Sequence, residues 1–268
     1  MRCNKHIRLV NSLNYYLPTH KGGLELKTNM KQTPIDFHNK VILNFKNSCQ
    51  NELEMLRAFF DDKRAGFYVD VGANDPVISS QTYHLEQLGW QGLLIEPLPY
   101  LADALRENRK AFVAEFACST PENHNKKLQF LMAGVYSTLN KTPIAIGANS
   151  KAYIEVTCKT LDSILEENDL APNFDFISID IEGHEMEMFK GFTLQKWQPK
   201  LVLLEDHVIN HDKHRHMQVN GYQLLMRTAM NIWYVPKTLG YKLSLMARFQ
   251  YFRKYYLGLL PRKLRYMR

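Results

Sequence analysis

Along residues 51–60, Leu53, Leu56, Phe59 and Phe60 recur at helical spacing and predict a helix that leads into a domain. Beyond residue 66 the pattern changes. Short apolar runs at 67–71, 92–95, 112–117, 154–158, 174–179 and 201–204 read as buried strands. Stretches of helical period lie between them, at 81–88, 100–109, 161–167 and 186–197, and Gly89 is placed to stop the first of these. Such short strand–helix alternation predicts an α/β fold: a Rossmann-like, doubly wound, mostly parallel sheet with helices on both faces. Ligands of such sheets gather at the carboxyl ends of the strands. The stretch 119–150 is rich in Asn, Pro, Ser and Thr and is longer than an ordinary connection.

Both ends differ from this core. Residues 1–50 are poorly periodic, with Gly22-Gly23 and Thr33-Pro34 as breakers, and read as an N-terminal extension. Residues 51–240 form the predicted domain and 241–268 a tail. In the tail Leu245, Phe249, Phe252, Tyr256 and Leu259 recur at three- and four-residue steps, the apolar stripe of a helix that Pro261 is expected to end.

Composition supports a folded chain. Hydrophobic residues make up 45% of the 268 and charged residues 23%, enough for a sizeable core. No apolar run is long enough to span a bilayer, and Met1-Arg-Cys-Asn-Lys-His-Ile lacks the apolar block of a secretory signal. The four cysteines are scattered without a CxxC, which argues against a zinc knuckle or a disulfide framework. The expected compartment is a reducing cytoplasm. The net charge of +7 hides an asymmetry: no acid follows Asp212, whereas the first 212 residues hold 22 cations against 27 acids. A cationic helix with an apolar face suits an anionic membrane surface, or else docks on the domain with a solvated basic end. The mildly acidic body argues against nucleic acid as a partner.

Four strand ends carry candidate chemistry. In Asp70-Val-Gly72-Ala-Asn74-Asp75 a strand runs straight into a turn whose single glycine admits close approach. A dinucleotide loop usually reads GxGxxG, and Asp70 and Asp75 would repel a pyrophosphate. An acid here suits the cationic amino-acid portion of S-adenosylmethionine better. Glu96-Pro97 closes the second strand, where a carboxylate can accept hydrogen bonds from both ribose hydroxyls. The third end, Asp180-Ile-Glu182-Gly-His184-Glu185, sets three acids and a histidine after a buried strand. Glu205-Asp206-His207 adds a second acid–imidazole pair. His207, His211, His214 and His216 follow closely on one another, but Lys213 and Arg215 disfavour a divalent cation among them. No metal is expected, and the segment reads as a polar loop over the acceptor site.

Together and in this order, these blocks resemble the FkbM-type methyltransferases, which O-methylate sugars and polyketides. Residues 67–74 look like that family's first strand and cofactor loop, and Gly89-Trp90-Gln-Gly92-Leu-Leu-Ile-Glu96-Pro97 like its second strand. Arg109 matches a recurrent position, Thr160-Leu161-Asp162 a signature, and Ile179-Asp180-Ile-Glu182-Gly183-His184-Glu185 with Phe189-Lys-Gly191 its most distinctive block. Asp75-Pro76 stands where the family often has a glycine, and His184 where it usually has a small residue. The resemblance covers roughly residues 50–208 and implies a class I methyltransferase. Asp70, Gly72, Asn74, Asp75, Glu96 and Pro97 would then hold S-adenosylmethionine, with Cys118 and Ser119 near the adenine. Asp180, Glu182 and His184 are the candidates for the general base that takes a proton from the acceptor hydroxyl. Glu205 and His207 would contact the acceptor. The family implies a saccharide or glycan hydroxyl, surface-bound or lipid-linked. RNA, a small natural product, or a non-catalytic membrane-peripheral module are the alternatives.

Overall fold

A computed structural model describes residues 50–78, 80–132, 137–139, 152–207, 210–228, 230–243 and 245–266. The extension assigned to residues 1–50 lies, save for Gln50, outside them. Helix α1 (Gln50–Phe59) precedes strand β1 (Phe67–Val71), helix α2 (Tyr83–Gln87), strand β2 (Gln91–Ile95), helix α3 (Pro99–Asn108) and strand β3 (Phe112–Ala114). After strands β4 (Ala117–Cys118), β5 (Lys127–Met132) and β6 (Ala152–Lys159) come helix α4 (Leu161–Glu167) and strand β7 (Phe176–Ile179). Helices α5 (Glu185–Phe189) and α6 (Leu194–Trp197) lead to strand β8 (Leu201–Glu205), then helix α7 (Asp212–Val219) and strands β9 (Tyr222–Thr228) and β10 (Asn231–Pro236).

Seven strands form one sheet in the order β3-β2-β1-β7-β8-β10-β9. Pairing is parallel from β3 to β8, while β10 runs antiparallel to both β8 and β9. The chain leaves β1 toward β2 on one side and returns on the other as β7. The crevice above this reversal is where doubly wound sheets bind ligands. Alternate residues of the same strand feed opposite cores. Val69, Leu93, Ile177 and Val202 pack with α4 and Trp197, whereas Tyr68, Leu94, Phe176 and Leu203 pack with Leu56 and Trp90. Strands buried on both faces read as continuous apolar runs, which is why the sequence shows them plainly.

Several elements depart from the sequence reading. The run 112–117 does not form one strand: β3 stays in the large sheet, while β4 joins a three-stranded sheet ordered β4-β6-β5. The long connection 119–150 contains β5, paired antiparallel with β6 from Lys127↔Thr157 to Met132↔Ala152. The helix read at 186–197 is two helices broken around Gly191. A Cβ on Gly191 would lie 2.6 Å from the Ser119 carbonyl oxygen. Asp162 restarts the chain there: its carboxylate accepts from the Thr193 amide at 2.8 Å and hydroxyl at 2.6 Å, and from Trp197 Nε1 at 2.7 Å.

The tail is helical, through helix α8 (Leu245–Phe252), a π-helical turn (Arg253–Leu257) and helix α9 (Leu259–Tyr266). Pro261 falls in the first turn of α9, where a missing N–H costs nothing, and does not end the helix. The face that docks is not the predicted stripe. Lys254 and Tyr255 are buried, whereas Leu245, Phe249 and Tyr256 are exposed. Lys254 Nζ donates to the Asp206 carbonyl at 2.9 Å, and the Tyr255 hydroxyl to Asp206 Oδ2 at 2.6 Å. Among the described residues no helix is long and apolar enough to cross a membrane.

Candidate active site

The cleft above the reversal takes in about 570 Å³, open solvent at its mouth included, and its walls come from four strand ends. From the β1 turn come Gly72 and Asn74, and from the end of β2 Glu96, Pro97 and Leu98. Phe116, Cys118 and Phe130 belong to the β4–β5 side, and Asp180, Glu182 and His184 to the end of β7. Backbone sterics explain the glycine. The Asp180 amide donates to the Val71 carbonyl at 3.0 Å, and a Cβ on Gly72 would sit 2.0 Å from the Asp180 carbonyl oxygen. Gly72 also has φ +85°, Asn74 φ 52° and Glu182 φ 51°, left-handed values that cost a side-chain-bearing residue energy and cluster at working sites.

Glu96 anchors one end of the cleft. Its Oε2 accepts from the Asn74 amide and its Oε1 from the Leu98 amide, both at 3.0 Å, so β1 and β2 ends are locked together. Burial pushes its carboxyl up to about 7, against these two hydrogen bonds and with a further push from Asp70. Both oxygens keep lone pairs for two more donors. Leu98, Leu101, Phe116 and Phe130 supply an apolar slot beside it. Among the described residues no Lys or Arg lines the cleft, and Asp180 and Glu182 face its other end. Acceptors for a ribose diol, an apolar slot for a base and carboxylates for a cation fit adenosine linked to a sulfonium amino acid.

Three residues expected in cofactor contact do not line the cleft. Asp70 is buried and accepts from Thr82 Oγ1 at 2.7 Å, and burial pushes its carboxyl up to about 6. Asp75 accepts from the amides of Val77 and Ile78 at 2.9 and 2.6 Å. It shapes the turn, which accounts for an acid where a glycine is common. Ser119 is buried behind the cleft, its Oγ 3.2 Å from His184 Nε2 and 3.0 Å from Asn123 Nδ2. Arg109 holds this loop from outside. Its guanidinium is wholly buried and donates to Glu86, Tyr68, Thr82, Ser80 and the Pro76 carbonyl at 2.9–3.2 Å.

At the β7 and β8 ends the acids crowd together. Asp180 is exposed where it opens into the cleft, with protein packed around its carboxyl. That packing first, and then Glu205, Glu182 and Glu185, raise its pKa. Its carboxyl abuts that of Glu205. Glu205 resists burial and stays acidic, because His207 Nε2 lies 3.3 Å from its Oε1. That pairing raises the imidazole of His207 in turn. Burial and Glu205 push Glu182 up to about 7, while burial lowers His184. Lys213, from α7, binds Glu185 at 2.8 Å and donates to the Glu205 carbonyl at 2.8 Å.

The other histidines of this segment scatter, because it is a helix and not a polar loop. His214 is buried 3.0 Å from the Tyr234 hydroxyl, His216 stacks on Phe189, and His211 turns to the Tyr255 carbonyl. Sequence reasoning missed the apolar slot. Phe130 of β5 lines it, and Leu128 and Met132 pack against the same buried cluster as Phe130, an alternation hidden in a polar connection.

The model of the methyltransferase FkbM domain matches residues 70–227. No curated protein sequence matches the chain. Among solved structures, the N-terminal domain of human METTL16 in complex with SAH is 14% identical. It has a TM-score of 0.38, covering 70% of this chain and 68% of that one. Precorrin-6y C5,15-methyltransferase from Geobacter metallireducens is 12% identical, with a TM-score of 0.37, covering 70% and 84%. Likeness this distant says nothing of the acceptor. The family match, by contrast, starts at the buried Asp70, spans every strand end that walls the cleft and stops within β9, so the chain belongs to the FkbM family of S-adenosylmethionine-dependent methyltransferases.

Proposed function

We propose that the chain transfers the methyl group to a hydroxyl of a saccharide or glycan. One observation carries this reading. The acceptor end of the cleft is walled by Asp180 and Glu182, with Glu205 and His207 beside them. Carboxylates and an imidazole accept hydrogen bonds from a polyhydroxylated ligand, whereas phosphodiesters would be repelled, which disfavours RNA. In-line displacement at a sulfonium needs the acceptor oxygen placed and its proton removed. Asp180, open to the cleft, is the proposed proton acceptor, Glu182 and Glu205 hold neighbouring hydroxyls, and His184 is held in place by Ser119. Glu96, Gly72, Asn74 and Pro97 bind the adenosine, with Cys118 at its edge, while Asp70 and Asp75 act by shaping the loop. When bound, S-adenosylmethionine supplies the electrophilic methyl group.

Asp180→Asn tests the assignment. It is expected to keep S-adenosylmethionine binding in calorimetry and to lose transfer of labelled methyl to a glycan panel about 100-fold or more. Full turnover in the variant, or label entering RNA but no glycan, would refute the proposal.

The proposal extends to the tail, which would hold this chemistry at an anionic membrane surface. Leu245, Phe249, Phe252, Tyr256, Leu260 and Leu264 are 48–84% exposed. Arg227, Arg253 and Arg262 line a pocket beside them. An apolar face rimmed by cations matches anionic headgroups. Sedimentation with phosphatidylserine vesicles is expected for the native chain and not for Phe249→Glu/Phe252→Glu. Equal sedimentation of both would remove the membrane from the proposal.

A further inference from the structure

Beside the cleft, the ligand atoms of Glu182, Glu205 and His207 lie within 4.8 Å of one another. Trans ligands of an octahedral Mg²⁺ or Mn²⁺ stand roughly 4.2 Å apart, at about 2.1 Å from the ion. Neighbouring ligands stand roughly 3.0 Å apart, close to the 3.3 Å between His207 Nε2 and Glu205 Oε1, and closure of Glu182 onto this pair would complete three positions. Glu205 is 8% exposed, and its Oε2 is buried and receives no hydrogen bond from a protein donor. The Asp180 carboxyl lies against Glu205 and can donate to it only when protonated. Two abutting carboxylates need a proton or a cation between them. The nearest fixed cation, Lys213, is already committed to Glu185 and to the Glu205 carbonyl.

We propose that Glu182, Glu205 and His207 form a divalent-cation site at the acceptor end of the cleft. Two carboxylates and one imidazole favour Mn²⁺ or Mg²⁺ over a thiophilic ion. His211 plays no part, since it points to the tail. The site extends the proposed O-methylation and rests on it for its role. A cation there would take an acceptor oxygen in an open position, orient it, and lower its pKa. The site's existence does not depend on which acceptor is used.

Mn²⁺ titrated into the full chain, followed by the electron paramagnetic resonance signal of the free ion, tests it without turnover. One saturable site is expected, weakened at least about tenfold in Glu205→Gln and in His207→Ala. S-adenosylmethionine binding in the same samples reports that each variant is folded. No saturable site in the native chain, or equal affinity in whichever variant folds, would overturn the proposal. Glycan methylation that survives EDTA would overturn the cation's role and leave the proposed function standing. Mn²⁺ binding without glycan methylation would leave the cation site standing and overturn the proposed function.

Discussion

Arg109 Nε lies 3.1 Å from Glu86 Oε2, and both side chains are almost wholly withdrawn from solvent. This pair ties the residue after α3 to α2 and, through Tyr68 and Thr82, to β1. Removing one partner of a buried pair leaves the other uncompensated. Arg109→Leu is expected to lower stability by about 3–5 kcal/mol, read as a shift of the urea midpoint. A loss below about 1 kcal/mol, the scale of an exposed pair, would show that the network is not holding the loop.

Glu96 couples cofactor binding to pH. Its folded carboxyl is raised to about 7 from an ordinary 4.5. The native state therefore binds a proton that the unfolded chain has released, and this contribution to stability falls as pH rises between those values. Ribose hydroxyls donate, so the ionised form is the one that binds. S-adenosylmethionine affinity should rise from pH 6 to pH 8. Glu96→Gln should bind weakly at both, and calorimetry at the two pH values checks this. A flat profile in the native chain would contradict the role given to this carboxylate.

Gly72 should tolerate no side chain. Its φ of +85° and the 2.0 Å approach to the Asp180 carbonyl oxygen mean that Gly72→Ala must part β1 from β7 at the cleft. The expected result is loss of S-adenosylmethionine affinity by more than about tenfold, equivalent to 1.4 kcal/mol, in a chain whose far-ultraviolet circular dichroism is unchanged. Native affinity would show that the turn adapts.

His214 acts with the opposite sign to Glu96. Burial, and then His211, lower its pKa to about 4 from 6.5. A neutral imidazole stabilises the folded state above pH 6.5, and the contribution is lost as pH falls through about 4. Thermal melts from pH 7 to pH 4 should fall more steeply in the native chain than in His214→Phe. Parallel curves would remove this histidine from the acid sensitivity.

Much of this protein was legible along the chain. Strands buried on both faces appear as apolar runs, so β1, β2, β7 and β8 and their order as βα units follow from hydrophobic pattern alone. The site acids were legible because Asp70, Glu96, Asp180 and Glu205 each stand at or next to a strand's carboxyl end, where packing does not ask for charge. What each acid does was not legible. Asp70 and Glu96 have the same chemistry and similar placement. Only the fold turns one toward Thr82 and the other into the cleft. The break at Gly191 needed the Ser119 carbonyl from another segment, and the docking of the tail needed Asp206. Helical spacing marked an apolar stripe on the tail, yet the aromatic face against α7 is the buried one, because His214, Tyr234 and Asp206 supply polar partners there. Periodicity records which positions avoid water. Which surface, proton or partner meets them is decided by contacts between residues far apart in sequence.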